Sequence, residues 1–135
     1  MRTTRRHFLP FLLVSSLGTF ISPAFAWRRS SDAYSRVTLA ALLAAFAQDS
    51  DSAKVVGREY LRHHPAEANA AVLVDRIFLG DVQRRAEFVQ ASVEERRALV
   101  GQLIREDFAQ GRIVQVRGWM LSHTETRLCA IAVVV

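Results

Sequence analysis

One cysteine, Cys129, is all that the 135 residues offer. The chain therefore closes no intrachain disulfide, builds no iron–sulfur cluster from its own thiolates and attaches no haem through CxxCH. Three prolines and six singly placed glycines make no Pro- or Gly-rich linker, no G-x-G-x-x-G and no Walker loop. Lysine is nearly missing: Lys54 stands alone against 17 arginines, a bias that reads as codon usage rather than function. Acids are absent before Asp32, whereas Arg2, Arg5 and Arg6 fall in the first six residues. The net charge of +5 drops to +2 from Trp27 onward (15 basic against 13 acidic), so a sequence pI near 10.6 owes much to the extreme N-terminus. Nucleic acid is not an expected partner on that balance. A mass of 15.2 kDa leaves room for one small globular domain and excludes a multi-domain enzyme.

What is present begins with Thr4-Arg5-Arg6-His7-Phe8-Leu9, two adjacent arginines ahead of an aromatic–aliphatic pair, which is the twin-arginine pattern. Pro10 departs from it, because a basic residue is common at that position. A mildly apolar stretch from Phe8 to Ile21 follows, diluted by Ser15, Ser16, Gly18 and Thr19. Pro23 then precedes Ala24-Phe25-Ala26, whose small residues Ala24 and Ala26 fit an A-x-A cleavage site before Trp27. The apolar stretch covers 14 positions, short of the roughly 20 a spanning helix needs, so no stable transmembrane span is expected. Residues 1–26 are predicted to be a cleavable twin-arginine signal peptide and residues 27–135 the mature domain, placed in the periplasm by the twin-arginine translocase. That route carries folded cargo, so the cargo is either a fast-folding domain or the escort of a cofactor-loaded partner.

The mature domain reads as mainly α, a small helical bundle with one short extended segment. A helix is expected from about Ala33 to Ala47, with Ala40, Leu43 and Phe46 in an almost unbroken apolar stripe that needs cover. Asp49-Ser50-Asp51-Ser52 re-caps a second helix ending at His63-His64-Pro65. Pro65 opens a third, through Val72, Leu73, Ile77 and Phe78 to Gly80. Residues 81–91 are polar and predict only a short turn of helix around Phe88. Ser92-Val93-Glu94-Glu95 is a capping box for a long helix stopped by Gly111. Ile113-Val114-Gln115-Val116 is β-branched and extended, bounded by Gly111 and Gly118. Ser122-His123-Thr124-Glu125 is a second capping box and starts the last helix. The apolar end Ala130-Ile131-Ala132-Val133-Val134-Val135 needs cover from this domain or another chain.

Few side chains suggest chemistry. His63 and His64 with Glu67 are the only clustered metal-ligand types, but adjacent histidines diverge on a helix, and a solvated helix end explains them. Ser122 beside His123 resembles a nucleophile–base pair in name only, because no G-x-S-x-G elbow surrounds the serine and a cap explains it. Cys129 among Leu128, Ala130 and Ile131 reads as a packed thiol, with a reactive one as the alternative. No catalytic, cofactor-binding or metal-binding residue is assigned. The stretch densest in unusual side chains runs from Asp107 to Ala130, where Trp119 after Gly118 either plugs the bundle or faces a partner and Thr124-Glu125-Thr126-Arg127 opens a helix. Because Trp, Met and Arg are enriched at interfaces, Trp119, Met120, Leu121, Glu125 and Arg127 are the candidate partner-binding residues.

With Arg5-Arg6, the Phe8 to Ile21 run, the compact helical size and the tryptophan-bearing C-terminal segment, the chain resembles the small accessory subunits of membrane-bound, flavin-dependent sugar and polyol dehydrogenases of bacteria, the sorbitol and gluconate dehydrogenase type. The resemblance implies an exported, non-catalytic subunit that binds no cofactor itself, whose partner is a signal-less flavoprotein catalytic subunit, with a multihaem cytochrome taking the electrons. It also implies membrane association through the complex. The alternative is a free-standing periplasmic binding or interaction protein; a third keeps the N-terminal helix as an anchor.

The signal generates the first prediction. Lysine keeps the charge of arginine but not its planar donor fork. Arg5→Lys combined with Arg6→Lys should hold the precursor in the cytoplasm with its fold intact, as read by cell fractionation and circular dichroism. Undiminished export of the double variant would assign the chain to the general secretory route.

Overall fold

Both capping boxes are present, and they start the two helices around which the rest is arranged. The computed structural model describes residues 39–47 and 51–135. Ser92 Oγ accepts the Glu95 N–H at 3.3 Å while the Glu95 carboxylate accepts the Ser92 N–H at 2.7 Å. Ser122 and Glu125 repeat the exchange at 3.0 and 2.8 Å. Each box satisfies N–H groups that a helix start leaves without an intrahelical partner. In chain order the helices are α1 (Asp51–His63), α2 (Ala70–Ile77), α3 (Val82–Gln90), α4 (Val93–Ala109) and α5 (His123–Val134). A hairpin of β1 (Ile113–Val116) and β2 (Trp119–Ser122) joins α4 to α5. Helical residues 39–44 and the 3-10 turn Ala45–Ala47 precede α1.

The fold is mainly α, a small helical domain with a short two-stranded sheet. The extended strip is a hairpin rather than a single segment: β1 and β2 are antiparallel, with Ile113 opposite Ser122 and Val116 opposite Trp119. Arg117 and Gly118, at φ 51 and 87, form the two-residue connection. Two central residues at positive φ match the twist of the flanking strands, which is why such turns close hairpins. The third helix starts later than Pro65: Pro65–Glu67 is a lone 3-10 turn, and α2 begins after Asn69, whose side chain accepts the Ala71 and Val72 N–H groups. Residues 82–90 form a full helix instead of a short turn. Asp81 caps it, Phe88 is its only buried residue, and Arg84 and Arg85 reach Glu106 and Asp75. A helix held by one aromatic ring and two ion pairs leaves little apolar periodicity to read.

Helix α5 lies at the centre. Thr124, Thr126, Arg127, Leu128, Ala130 and Ile131 are buried along it, and it packs on α1, α2, α4 and the turn before α1. The domain itself thus covers much of the apolar C-terminal end: Ala130 and Ile131 are buried and Val133 is half-buried, while Val135 stays exposed. Leu39, Ala40 and Leu43 from the first helical residues join the same core, with Tyr60, Leu73, Phe78 and Leu103. Phe46 and Phe78 both approach the Phe88 ring, at 5.9 and 5.5 Å between centroids. Among the described residues no helix is long and apolar enough to cross a membrane.

The crossing of α1 over α5 depends on Gly57. A Cβ placed there meets the Cys129 carbonyl oxygen, lies 2.6 Å from the carbonyl carbon and 2.9 Å from Val133 Cγ2. The helices approach backbone to side-chain-free backbone, a distance no other residue permits. Gly57→Ala should therefore reverse the ordinary helix preference. Alanine gains about 1 kcal/mol in an open helix, whereas overpacking costs about 1–3 kcal/mol. We expect a melting temperature several degrees lower by calorimetry; a stabilised variant would show that α1 and α5 can separate without loss.

Candidate functional site

Among the described residues the most exposed large apolar side chain is Trp119 on the hairpin. The base of the hairpin is built on Asp107, in the last turn of α4 and buried at 4% exposure. One carboxylate oxygen accepts the Thr124 backbone N–H at 2.7 Å and the other the Arg112 Nε–H at 2.6 Å. The Arg112 carbonyl in turn accepts the His123 N–H at 3.0 Å. Asp107 thereby ties the end of α4, the start of β1 and the N-terminus of α5 into one corner. Burial works to raise the Asp107 carboxyl, but the Thr124 and Arg112 bonds outweigh it and hold the group below its ordinary value. Ser122 is fully buried at the same corner.

One turn further along α5, Arg127 is turned inward at 7% exposure. Its Nε and Nη2 donate to the two Glu67 carboxylate oxygens at 3.0 and 3.1 Å, a bidentate pair, and Nη1 reaches the Arg76 carbonyl at 3.4 Å. The Tyr60 hydroxyl donates to Glu67 Oε2 at 2.8 Å. Burial and then this bond push the Tyr60 phenol up to about 12. For Glu67, burial favours the neutral acid, yet the Arg127 and Tyr60 bonds win and lower it. The His64 ring stacks on Tyr60 with centroids 4.2 Å apart. Its Nδ1 lies 3.0 Å from the Tyr60 carbonyl, which can only accept, so Nδ1 carries the proton. His123 is lowered by burial and then by the Arg127 charge.

These contacts redistribute the residues singled out in the sequence. Trp119 at 71% exposure and Met120 at 55% stand free on β2, so Trp119 does not plug the bundle. Leu121 is half-buried. Glu125 is spent on its capping box, and Arg127 is corrected from a partner contact to an interior ion pair, because Glu67 and the end of α2 occupy its donors. Ser122 accepts the Glu125 N–H and is not aimed at His123. His63 sits at an exposed helix end beside Glu59. Cys129 is half-buried, with its thiol raised by burial and then by Glu125. Among the described residues no three His, Cys, Asp or Glu side chains gather closely enough to hold a metal. Arg5, Arg6, Phe8, Leu9, Ala24 and Ala26 lie outside the described residues.

At the turn, Arg117 is exposed at φ 51, a conformation costing about 1–2 kcal/mol in a residue with a Cβ and filled more readily by Asn, Asp or Gly. A groove of about 450 Å³ runs from Arg117 and Val114 to Glu59, Tyr60 and His63 on α1 and to His64 just after it. The geometry presents a rigid, aromatic-tipped arm beside a polar cleft. Such an arm loses little conformational freedom when it docks. The chain matches no protein-family model, no curated protein and no solved structure.

The interior pairs set the acid stability. Asp107 and Glu67 both titrate lower folded than unfolded, so their contribution is complete above the unfolded values, 3.8 and 4.5, and is lost as pH falls through the folded ones. The melting temperature should hold from neutral pH to about 5 and then fall. Asp107→Asn should lower it at neutral pH and make the acid limb shallower. Arg127→Met, which strands the Glu67 charge, should cost about 3–5 kcal/mol in denaturant unfolding; a loss near zero would mean that Glu67 finds water or another cation.

Proposed function

We propose that the chain is an exported, non-catalytic accessory subunit or twin-arginine export escort of a periplasmic flavin-dependent dehydrogenase, and that the hairpin tip is where the catalytic subunit docks. The observation that carries this reading is the exposure of Trp119 and Met120 on an arm whose base is held by Asp107, Arg112 and the Ser122–Glu125 box. Exposed tryptophan is costly to leave in water and is the residue type most often found at energetic centres of protein interfaces. The Arg5-Arg6 motif supplies the export half of the proposal, and the resemblance to dehydrogenase small subunits supplies the class of partner. A signal-less flavoprotein that loads its cofactor in the cytoplasm needs a folded-cargo route and a companion bearing its signal. The groove between Arg117 and His63 favours a second reading, a free-standing periplasmic protein that binds a small polar ligand there.

Exposure separates binding from stability at Trp119. Truncating a core tryptophan costs about 3–5 kcal/mol, whereas exposed substitutions stay within roughly 0.5 kcal/mol. Trp119→Ala should leave the melting temperature almost unmoved and cut co-purification of a co-expressed flavoprotein catalytic subunit by about tenfold or more. Unchanged co-purification would remove the hairpin tip from the interface.

A further inference from the structure

The hairpin leaves half of the backbone of β1 without a partner. Val116 and Trp119 flank the two-residue turn, so they form the first hydrogen-bonded pair, and such pairs then alternate along the ladder. Val114 with Leu121 is the next, and the His123 N–H on the Arg112 carbonyl at 3.0 Å continues the same phase. The N–H and C=O groups of Ile113 and Gln115 therefore point away from β2. The sheet has no third strand, and among the described residues none of these four groups makes a hydrogen bond. Unpaired groups on a strand edge are a template for another strand. The groove of about 450 Å³ follows this edge: residues 114–118 line it in unbroken succession, no residue of β2 does, and Glu59, Tyr60, His63 and His64 form the other wall. That wall restricts what can approach, because a second folded copy meets α1, whereas a single extended segment needs only the groove.

We propose that an extended, acidic peptide segment of a partner adds to β1 as an antiparallel third strand, exchanging hydrogen bonds with Ile113 and Gln115 and setting a carboxylate beside Arg117. Charge selects the chemistry of the segment. Glu59 is already met by Arg62 at 2.6 Å and by His63 at 3.2 Å, whereas Arg117, at the turn end of the groove, has no ion pair among the described residues. The uncompensated charge in the lining is therefore positive. Pleating selects the pattern, since side chains directly opposite one another in a ladder share a face. Segment residues opposite Val114 and Val116 turn to the face on which these two are half-buried and buried, which favours apolar types. Those opposite Ile113 and Gln115 turn to the exposed face, which favours polar ones. The contact uses the backbone of β1 and not the side chains of Trp119 and Met120, so it stands independently of the dehydrogenase reading. A small polar ligand, the alternative for this groove, needs no ladder.

Titrating the isotope-labelled full chain with the peptide acetyl-Glu-Val-Thr-Val-Thr-amide, followed by NMR, tests the proposal. Laid antiparallel, its threonines fall opposite Gln115 and Ile113 and its glutamate beside Arg117. Saturable shifts should appear at the Ile113 and Gln115 amides by millimolar peptide. N-methylating both threonine nitrogens removes ladder donors without touching charge or side chains, and should weaken binding about tenfold or more. Replacing the peptide glutamate by lysine should do the same, and Arg117→Glu should invert that preference. Absence of saturable shifts, binding indifferent to N-methylation, or a charge preference that does not invert would each overturn the proposal. So would the same shifts produced by sodium acetate, which would give the groove to a small anion. Shifts that grow with protein concentration in the absence of peptide would give the edge to a second copy and overturn it as well. Peptide binding by a chain that co-purifies no flavoprotein would sink the dehydrogenase reading and leave this one standing; co-purification without peptide binding would do the reverse.

Discussion

Enclosing α5 on nearly every side is the constraint from which the other contacts follow. A helix without a solvent face has nowhere to send its polar groups. Its N-terminal amides are therefore met by Asp107 and by the Ser122–Glu125 box, and the Thr126 hydroxyl turns back to the Ser122 and His123 carbonyls at 3.2 and 3.0 Å. Arg127, the one strong charge buried along α5, is met by Glu67 in a bidentate pair. Glu67 is in turn positioned by the 3-10 turn at Pro65–Glu67 and by the Tyr60 hydroxyl. On the opposite approach, Gly57 gives up its side chain so that α1 can press against the Cys129 backbone. Mid-helix glycine and late-helix aspartate, each unfavourable locally, both serve the same buried helix.

Local signals were legible where the energetics are local. Ser92-x-x-Glu95 and Ser122-x-x-Glu125 are recognisable because a capping box is complete within four residues. Gly111 and Gly118 bracketed the extended strip for the same reason, both lying at positive φ. The second strand escaped because Trp119-Met120-Leu121-Ser122 has no alternation of its own, and its pairing is decided by a turn in which arginine stands where asparagine is usual. Helix α3 escaped because its stability comes from Arg84 and Arg85 reaching Glu106 and Asp75, partners 22 and 10 residues away. The Glu67–Arg127 pair spans 60 residues and is invisible to any window.

Two positions did carry a readable warning. Asp107 sits in the last turn of a helix, where the dipole disfavours an acid, and such a placement asks for a cation or a donor nearby. Gly57 interrupts an otherwise good helix at a cost of about 1 kcal/mol relative to alanine, which points to a close approach. Both were resolved by α5, whose apolar C-terminal end needs neighbours. The histidines at 63 and 64 carried the converse lesson: adjacent ligand types divided between an exposed contact to Glu59 and a stack on Tyr60.

The stretch from Trp119 to Arg127, one block in the sequence, is cut in two by the buried Ser122. Before it, backbone pairing fixes the hairpin while leaving Trp119 and Met120 uncovered; after it, Glu125 and Arg127 are drawn into capping and into the interior. The division has a physical source, because a strand's exposed side chains are free of the ladder that holds it, whereas a helix enclosed on nearly every side draws its buried polar groups into bonds. The side chains that carry stability thereby neighbour, but are separate from, the two that stay uncovered. A domain built this way keeps its fold while the tip changes, so the exposed residues at 117, 119 and 120 can vary without disturbing the core that positions them.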